Sequence, residues 1–209
     1  MNSQRHGTLF VVSAPSGTGK TSIVRAALDR DAALTVSVSY TTRPQRGAEQ
    51  NGRDYQFIDV PTFEHMLEQG EFLEHAEVFG HYYGTSGSWV RGQLDAGLDV
   101  VLEIDWHGAQ QVRHALPESV AVFVLPPSRK ALKERLKARG EDDRQVIEER
   151  LKSAISEMAH YVEYDYLIVN EDFDQAVERF LAVVVAQRQH IGSQQMLLAP
   201  LLRELLSEG

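Results

Sequence analysis

The sequence is 209 residues long and contains no cysteine. This absence excludes disulfide bonds, thiolate metal sites and cysteine nucleophiles, and it is typical of proteins of the reducing cytoplasm. Long apolar runs are absent too. The N-terminal region has an apolar run of only four residues, too short for a signal peptide, and no run approaches the roughly 18 residues of a membrane span. We therefore expect a cytoplasmic protein without a membrane partner.

Positive charge is scarce, because 21 lysines and arginines stand against 30 aspartates and glutamates, for a formal net charge of −9. This balance argues against a surface that coats a nucleic acid polymer. An anionic ligand would have to meet a local cluster of basic side chains. With 43% hydrophobic residues, the chain can bury one substantial core, and we expect one globular unit with an insertion or two.

The first apolar run leads into a turn of small residues that ends in Gly19-Lys20-Thr21. Residues 14–21 match the phosphate-binding P-loop pattern G-x-x-x-x-G-K-[ST], except that Ala14 takes the first glycine position. Lys20 would reach terminal phosphates and Thr21 would ligate Mg²⁺. The alternative is a turn that merely joins a strand to a helix, and the Lys-Thr pair in this context argues against it. The predicted nucleotide-binding residues of this loop are Ala14, Pro15, Ser16, Gly17, Thr18, Gly19, Lys20, Thr21 and Ser22.

Apolar strands that alternate with helices predict parallel pairing and an α/β fold with a central parallel sheet flanked by helices. The predicted strands cover residues 9–13, 34–40, 71–78, 99–105, 120–125 and 166–170. The predicted helices cover residues 22–30, 63–69, 89–96, 128–139, 144–161 and 173–189, with a further Leu-rich helix within 194–206. Thr62 and Ser128 are predicted N-caps, and residues 81–85 are predicted to form a turn.

Two polar, arginine-bearing segments, about residues 39–88 and 129–150, fit such a core badly. Each is a candidate for a mobile part that closes over the ligand. The remaining stretches, residues 1–38, 89–128 and 151–209, would then form the core.

Within the first of these segments, Arg43 and Arg46 flank a proline-containing loop and could form a planar phosphate site. The hydroxyls of Tyr55 and Tyr83 would add neutral donors. A solvated surface loop is the alternative, and arginine pairs alone favour it. The loop at 14–21 shifts the balance, because a phosphoryl-transfer enzyme needs a second phosphate site.

Acidic side chains point to two further contacts. Glu103 and Asp105 end an apolar strand, where carboxylates organise Mg²⁺ or contact substrate, although a solvated turn would look the same. Glu74 follows an apolar pair, and if buried it could accept the N1–H and N2–H₂ donors of guanine. On the sequence alone, an exposed strand glutamate is favoured.

Arginines also mark the second polar segment. Arg135 and Arg139 are four residues apart and share a helix face, and Arg150 follows them. Positioned arginines stabilise the negative charge of a transferring phosphoryl group. A solvated helix face paired with glutamates is the alternative.

Taken together, these motifs resemble the guanylate kinase family from Phe10 to about Gln189. The pieces that carry the resemblance are SAPSGTGKT (13–21), TTRPQRGAEQNGRDYQF (41–57), FLEHAEVFGHYYGT (72–85), EIDWHGAQQV (103–112), RLKARG (135–140) and LIVNED (167–172). His107 and Tyr40 depart from the residues common at their positions in the family, and both lie beside matched ones.

The resemblance implies a P-loop kinase core, a mixed α/β GMP-binding insertion at 39–88 and a helical lid at 129–150. It implies transfer of the γ-phosphate of ATP to GMP, with Mg²⁺ as cofactor. The residues that would hold the GMP phosphate are Arg43, Arg46, Tyr55 and Tyr83. Those that would read guanine are Ser39, Glu74, Thr85 and Asp105. The catalytic residues would be Lys20, Arg43, Arg135, Arg139 and Arg150.

On the ATP side, the resemblance adds Asn170, near the adenine, to the loop residues. Mg²⁺ would be organised by Thr21 and Glu103, directly or through water, with Asp105 as the alternative carboxylate. Two other functions remain open, namely a non-catalytic guanylate-kinase-like module that binds proteins and a P-loop kinase with another nucleotide acceptor. A homo-oligomer is an open alternative to a monomer.

Overall fold

The structure, a computed structural model, describes residues 5–78, 80–138 and 144–207. Its strands are β1 (Leu9–Ser13), β2 (Leu34–Val36), β3 (Tyr40–Thr41), β4 (Gln56–Phe57), β5 (Phe72–Val78), β6 (His81–Ser86), β7 (Asp99–Glu103), β8 (Val120–Leu125) and β9 (Tyr166–Val169). Its helices are α1 (Lys20–Arg30), α2 (Val60–Glu68), α3 (Gly87–Asp95), α4 (Trp106–Ala115), α5 (Arg129–Ala138), α6 (Arg144–Met158), α7 (Phe173–Arg188), α8 (Ile191–Leu197) and α9 (Ala199–Leu206). A short 3₁₀ helix, Ala159–Glu163, follows α6.

The central sheet has the strand order β2-β7-β1-β8-β9 in the described part of the chain, and every pairing in it is parallel. All residues of β1 are buried, because helices cover both faces of the sheet. Phe10 and Val12 face a cluster with α1 and α7, whereas Leu9 and Val11 face a cluster with α3 and α4. The α/β prediction with a central parallel sheet flanked by helices is confirmed.

A second, mixed sheet has the order β4-β3-β6-β5 and uses only strands from residues 40–86. β5 and β6 form an antiparallel hairpin, and β3 pairs with β6 antiparallel and with β4 parallel. Phe63 of α2 stacks on Phe72 and Tyr82, so that α2 covers one face of this sheet. The sheet falls within the predicted 39–88 segment.

A third apolar cluster joins α5 to α6, apart from the two clusters of the core. Its buried members are Leu132, Leu136, Ile147 and Ala154. Leu132 and Leu136 also border Gly17, because a Cβ added at Gly17 would lie 3.2 Å and 3.1 Å from their methyl groups. This cluster therefore places α5 against the loop that follows β1.

Several element predictions were wrong at their boundaries. The strand predicted at 34–40 is split between β2 of the central sheet and β3 of the second sheet, because the chain crosses between the sheets there. Residues 81–85 are not a turn but most of β6, which gains hydrogen bonds from β3 and β5. The chain instead reverses before β6, where Gly80 has a φ of 75°.

Helix predictions failed in three places. Asp59, not Thr62, caps α2, because its side chain accepts a hydrogen bond from the Thr62 N–H and Pro61 needs none in the first turn. Helix α4 was not predicted at all. The tail forms two helices rather than one, and Pro200 lies in the first turn of the second.

Ser128 does cap α5, since its hydroxyl accepts a hydrogen bond of 3.0 Å from the Ala131 N–H. The helix predicted at 144–161 ends at Met158 and continues as the 3₁₀ helix. No helix within the described ranges is long and apolar enough to cross a membrane.

Candidate active site

The loop 14–19 joins β1 to α1 at the carboxyl end of the central sheet. Gly17 and Gly19 have φ angles of 87° and 91°, a left-handed conformation that non-glycine residues adopt at a cost. Backbone N–H groups in such a turn, followed by a helix N-terminus, form an anion-binding concavity. The methyl of Ala14 packs against the buried cluster between the central sheet, α1 and α7, so the departure from glycine fills core space.

Two side chains donate hydrogen bonds to the backbone of this loop. Asn170 Nδ2 donates to the Thr18 carbonyl oxygen over 2.6 Å, and Arg135 Nη1 donates to the same oxygen over 3.3 Å. Arg135 Nη2 also donates to the Asn170 carbonyl oxygen over 2.9 Å. A Cβ added at Gly19 would lie 2.6 Å from Asn170 Nδ2, so the contact requires glycine. The structure thus brings the predicted Asn170 and Arg135 onto the loop itself.

Lys20 and Thr21 begin α1 and face the end of β7. Lys20 Nζ donates to the Ile104 carbonyl oxygen over 3.2 Å, and Thr21 Oγ1 donates to Glu103 Oε2 over 2.7 Å. Desolvation lowers the pKa of Lys20, and negative charge on Glu103 and Asp105 opposes this shift. The ammonium group is therefore partly desolvated beside two carboxylates, where an incoming anion would meet it.

Two hollows adjoin this loop. One, of about 310 Å³, follows residues 14–22. The other, of about 300 Å³, lies beyond Gly19 and is bordered by Arg135, Asn170 and Phe173. The first presents backbone N–H groups and Lys20 to an anion, and the second offers an aromatic edge and a guanidinium to a ring.

The predicted phosphate-holding residues of the second sheet also come together. Arg43 is 6% exposed, and its guanidinium carbon lies 5.3 Å from the centroid of the Tyr55 ring. The Tyr55 ring packs edge-on against that of Tyr83, with 5.9 Å between centroids. Arg43 Nη2 donates to Glu49 Oε1 over 2.7 Å, and the Arg46 N–H donates to Glu49 Oε2 over 2.8 Å. The Glu49 carboxylate thus ties the two arginines' segment together.

Glu74 of β5 is buried and accepts a hydrogen bond of 2.6 Å from Thr85 Oγ1 of β6. Burial raises its pKa to about 7, and the negative charge of Asp105 acts in the same direction. Asp105 is the N-cap of α4, because its Oδ1 accepts from the Gly108 N–H over 2.9 Å. Asp105 follows Ile104, whose carbonyl oxygen accepts from Lys20, and the Gly108 that it caps lies against Glu74. Asp105 therefore lies between the two groups of residues.

Other predicted residues stand further from these contacts. The Arg46 side chain is exposed, and Ser39 lies just before β3 with its carbonyl oxygen bonded to the Gln56 N–H. Arg150 is half-buried on α6. Arg139 lies outside the described residues.

Two acidic residues at the site were missed by sequence reasoning. Glu49 had a signal, since it lies three residues after Arg46 in a short turn between arginines and tyrosines. Glu157 of α6 had none. It is partly buried, accepts from Ser153 Oγ over 3.0 Å, and its charge raises the pKa of Lys20.

Comparison with known proteins agrees with this geometry. The family model described as guanylate kinase matches residues 6–187. The guanylate kinase of Alkalilimnicola ehrlichii is 54% identical over 96% of this chain and 98% of its own length. The guanylate kinase of Chromohalobacter salexigens is 55% identical over 96% of this chain and 94% of its own.

Among solved structures, the guanylate kinase from Anaplasma phagocytophilum matches with a TM-score of 0.74 and 32% identity. The match covers 94% of this chain and 96% of that one. Because the family model and the relatives span nearly all of the sequence, the chain belongs to the guanylate kinase family.

Proposed function

We propose that this protein transfers the γ-phosphoryl group of ATP to GMP, giving ADP and GDP. The observation that carries the proposal is the position of Asp105. It follows Ile104, whose carbonyl oxygen accepts from Lys20, and it caps α4 at Gly108, which lies against the buried Glu74 of the second sheet. A donor site and an acceptor site therefore face one another at the carboxyl end of the central sheet. Family membership supports the same pair of substrates.

On the ATP side, the loop residues 14–22 form the P-loop and cradle the phosphates with backbone N–H groups. Lys20 exchanges its bond to the Ile104 carbonyl oxygen for a phosphate oxygen. Asn170 holds the loop through the Thr18 carbonyl oxygen and borders the hollow that receives adenine.

Mg²⁺ fits the oxygens that the structure brings together at the end of β7. Thr21 Oγ1 and Glu103 Oε2 lie 2.7 Å apart and would hold the ion, since hydroxyl and carboxylate oxygens suit this hard cation. This contact favours Glu103 over Asp105 as the Mg²⁺ carboxylate. When bound, Mg²⁺ neutralises charge on the ATP phosphates.

On the GMP side, Arg43, Arg46, Tyr55 and Tyr83 hold the phosphate. Two of the five guanidinium N–H groups of Arg43 go to the Pro44 carbonyl oxygen and Glu49, and the guanidinium also interacts with the Tyr83 hydroxyl. Guanine is read by Ser39, Glu74, Thr85 and Asp105. Ionised Glu74 accepts from guanine N1–H and N2–H₂, which adenine does not offer together.

The reaction needs no protein nucleophile. An oxygen of the GMP phosphate attacks the γ-phosphorus in line, and the bond from that phosphorus to the β–γ bridging oxygen breaks, so that ADP leaves. Lys20, Arg43, Arg135, Arg139 and Arg150 stabilise the negative charge of the transferring group. The segments 39–88 and 129–150 close over the substrates and exclude water, which would otherwise compete as acceptor.

Lys20→Ala tests this proposal. We expect the turnover of GMP to fall by a factor of about a hundred or more, with an unchanged melting temperature, because one positioned cation near the transferring group is lost. Lys152→Ala, at an exposed lysine of α6, is the matched control and should retain wild-type rates.

The wild-type protein separates the alternatives. A non-catalytic protein-binding module predicts no ATP binding by calorimetry even at millimolar ATP, whereas the proposed enzyme binds it. A kinase with another acceptor predicts that Glu74→Gln leaves GMP turnover intact. Cytoplasmic location and homo-oligomer formation stay predictions from the sequence.

A further inference from the structure

We propose that Gln111 is a positioning residue that fixes β5 to α4 and thereby sets Glu74 against Asp105 for recognition of the guanine base. The functional half of this inference rests on the proposed function. Gln111 bonds to His75, which is not assigned to substrate binding, and it lies within the stretch 103–112 that carries part of the family resemblance.

β5 is an edge strand of the second sheet, so its outward backbone groups lack a neighbouring strand in the described part of the chain. At His75 a side chain fills this role. The His75 N–H donates to Gln111 Oε1 over 3.1 Å, and Gln111 Nε2 donates to the His75 carbonyl oxygen over 2.9 Å. A carboxamide carries the same donor and acceptor as a peptide, so Gln111 acts as one residue of an additional strand.

The same face of α4 reaches Glu74 one turn earlier. Asp105, Gly108 and Gln111 are spaced by three residues and therefore lie on one side of the helix. A Cβ added at Gly108 would lie 2.9 Å from Glu74 Oε2, so the helix backbone packs directly on that carboxylate. Gln111 and Gly108 thus contact two consecutive residues of β5, His75 and Glu74.

The pairing of β5 with β6 is interrupted just before Glu74. The register between β5 and β6 is irregular between Phe72 and Glu74. A strand beside such an irregularity bends more easily, so an external tie next to it has a larger effect on side-chain direction. Gln111 supplies that tie at the residue that follows Glu74.

A shifted Glu74 carboxylate would lose the two-donor contact first. Guanine offers N1–H and the 2-amino group, whereas hypoxanthine offers only N1–H. Loss of the Gln111 tie should therefore weaken GMP more than inosine monophosphate, and it should leave ATP binding unchanged.

Gln111→Leu, compared with Gln110→Leu, tests the inference. Gln110 is the next residue on α4 but bonds through Nε2 to Glu163 Oε2 over 2.9 Å, away from β5. For Gln111→Leu we expect the KM for GMP to rise by about tenfold, the KM for inosine monophosphate by about twofold, and the KM for ATP to stay constant. Gln110→Leu should change none of these values. Gln111→Glu, which can accept from the His75 N–H but repels its carbonyl oxygen, should act in the same direction as Gln111→Leu.

Amide hydrogen exchange gives a readout that does not depend on activity. In Gln111→Leu the His75 amide should exchange at least about tenfold faster, while amides of β1 keep their protection. An unchanged GMP to inosine monophosphate preference in both Gln111 variants would overturn the proposed role, and unchanged exchange at His75 would overturn the contact. If the wild-type protein phosphorylates neither acceptor, the proposed function fails. The hydrogen-exchange measurement at His75 then still supports or overturns the contact between Gln111 and β5.

Discussion

At the scale of single residues, burial makes ionisation of the Glu74 carboxyl unfavourable. Its carboxyl is buried between β5, β6 and α4, and burial raises its pKa to about 7 from an ordinary 4.5. A group whose folded pKa lies above its unfolded pKa binds more protons in the folded state. The free energy of unfolding therefore falls as pH rises through the window from 4.5 to 7.

Glu74→Gln should remove this pH dependence. The wild-type free energy of unfolding should fall by roughly 3 kcal/mol between pH 4.5 and pH 8 relative to the variant, because glutamine keeps the shape but never ionises. Urea unfolding across this pH range measures the difference. A variant that is no more stable than wild type at pH 8 would show that Glu74 ionises there without a penalty.

The same substitution should harm GMP use. Glutamine can accept from only one guanine donor and presents an N–H₂ to the other, so the KM for GMP should rise while the KM for ATP stays constant. The residue proposed to read guanine is thus also expected to destabilise the folded protein at neutral pH, a trade-off common for functional groups.

At the scale of elements, α5, which lies in the segment proposed as the lid, packs against the nucleotide loop. Leu132 and Leu136 contribute to the small cluster with α6 and border Gly17. Because this cluster is separate from the two core clusters, its packing can be lost without unfolding the central sheet.

Leu136→Ala should open α5 locally. Truncation of a buried leucine costs about 2–5 kcal/mol, and here most of that cost should fall on the α5–α6 unit. Hydrogen exchange should speed up in α5 but not in α7, and the KM for ATP should rise because α5 positions Arg135 on the loop. Leu205→Ala, at an exposed leucine of α9, is the control. Equal acceleration in α5 and α7 would show that the cluster belongs to the global core.

The elements also show what sequence patterns can and cannot predict. The sequence predicted β1, the loop and α1, because the apolar run, the glycines and the Lys-Thr pair are all visible within a few consecutive residues. The division of residues 34–40 between two sheets was not predicted. It depends on which strands the chain pairs with before and after Ser37, and the local sequence does not show this. Helix α4 begins with Trp106, His107 and Gly108, which are weak helix formers, and its stability comes from the Asp105 cap and from packing.

At the scale of the whole molecule, a buried ion network ties distant segments together. Asp99, at the start of β7, is fully buried and bonds to Arg5 near the N-terminus, to the Thr8 N–H over 2.7 Å and to Arg188 Nε over 2.7 Å. Arg188, at the end of α7, also pairs with Asp31 after α1 over 2.6 Å. The network lies at the opposite end of β7 from Glu103.

Asp99→Asn should reduce global stability without changing the chemistry. Removal of one partner from a buried charge network costs about 3–5 kcal/mol, because Arg5 loses the carboxylate it pairs with and Arg188 keeps only Asp31. Urea unfolding should show this loss, while kcat for GMP at 25 °C stays near wild type. Asp174→Asn breaks only the exposed pair with Arg30 and should cost less than about 1 kcal/mol. Similar losses in the two variants would contradict the assigned role of the network.

The candidate site depends on the whole fold in a way that no local pattern reveals. Glu74 looked exposed in the sequence, since only the meeting of β5, β6 and α4 buries it. Glu157 acts on Lys20 from α6, and Gln111 contacts β5 from α4, and both contacts depend on how distant elements pack. Arg43 and Glu103, by contrast, were recognised because their neighbours in the sequence already form family motifs.

The most direct test of the account is a comparison of acceptors. The protein would be supplied with ATP and Mg²⁺ and with GMP, AMP, CMP or dTMP in turn, and kcat/KM measured for each. We expect GMP to be preferred by at least about a hundredfold, because the other bases cannot donate two hydrogen bonds to the buried Glu74. An equal or higher kcat/KM for any other acceptor would contradict the proposed recognition of guanine.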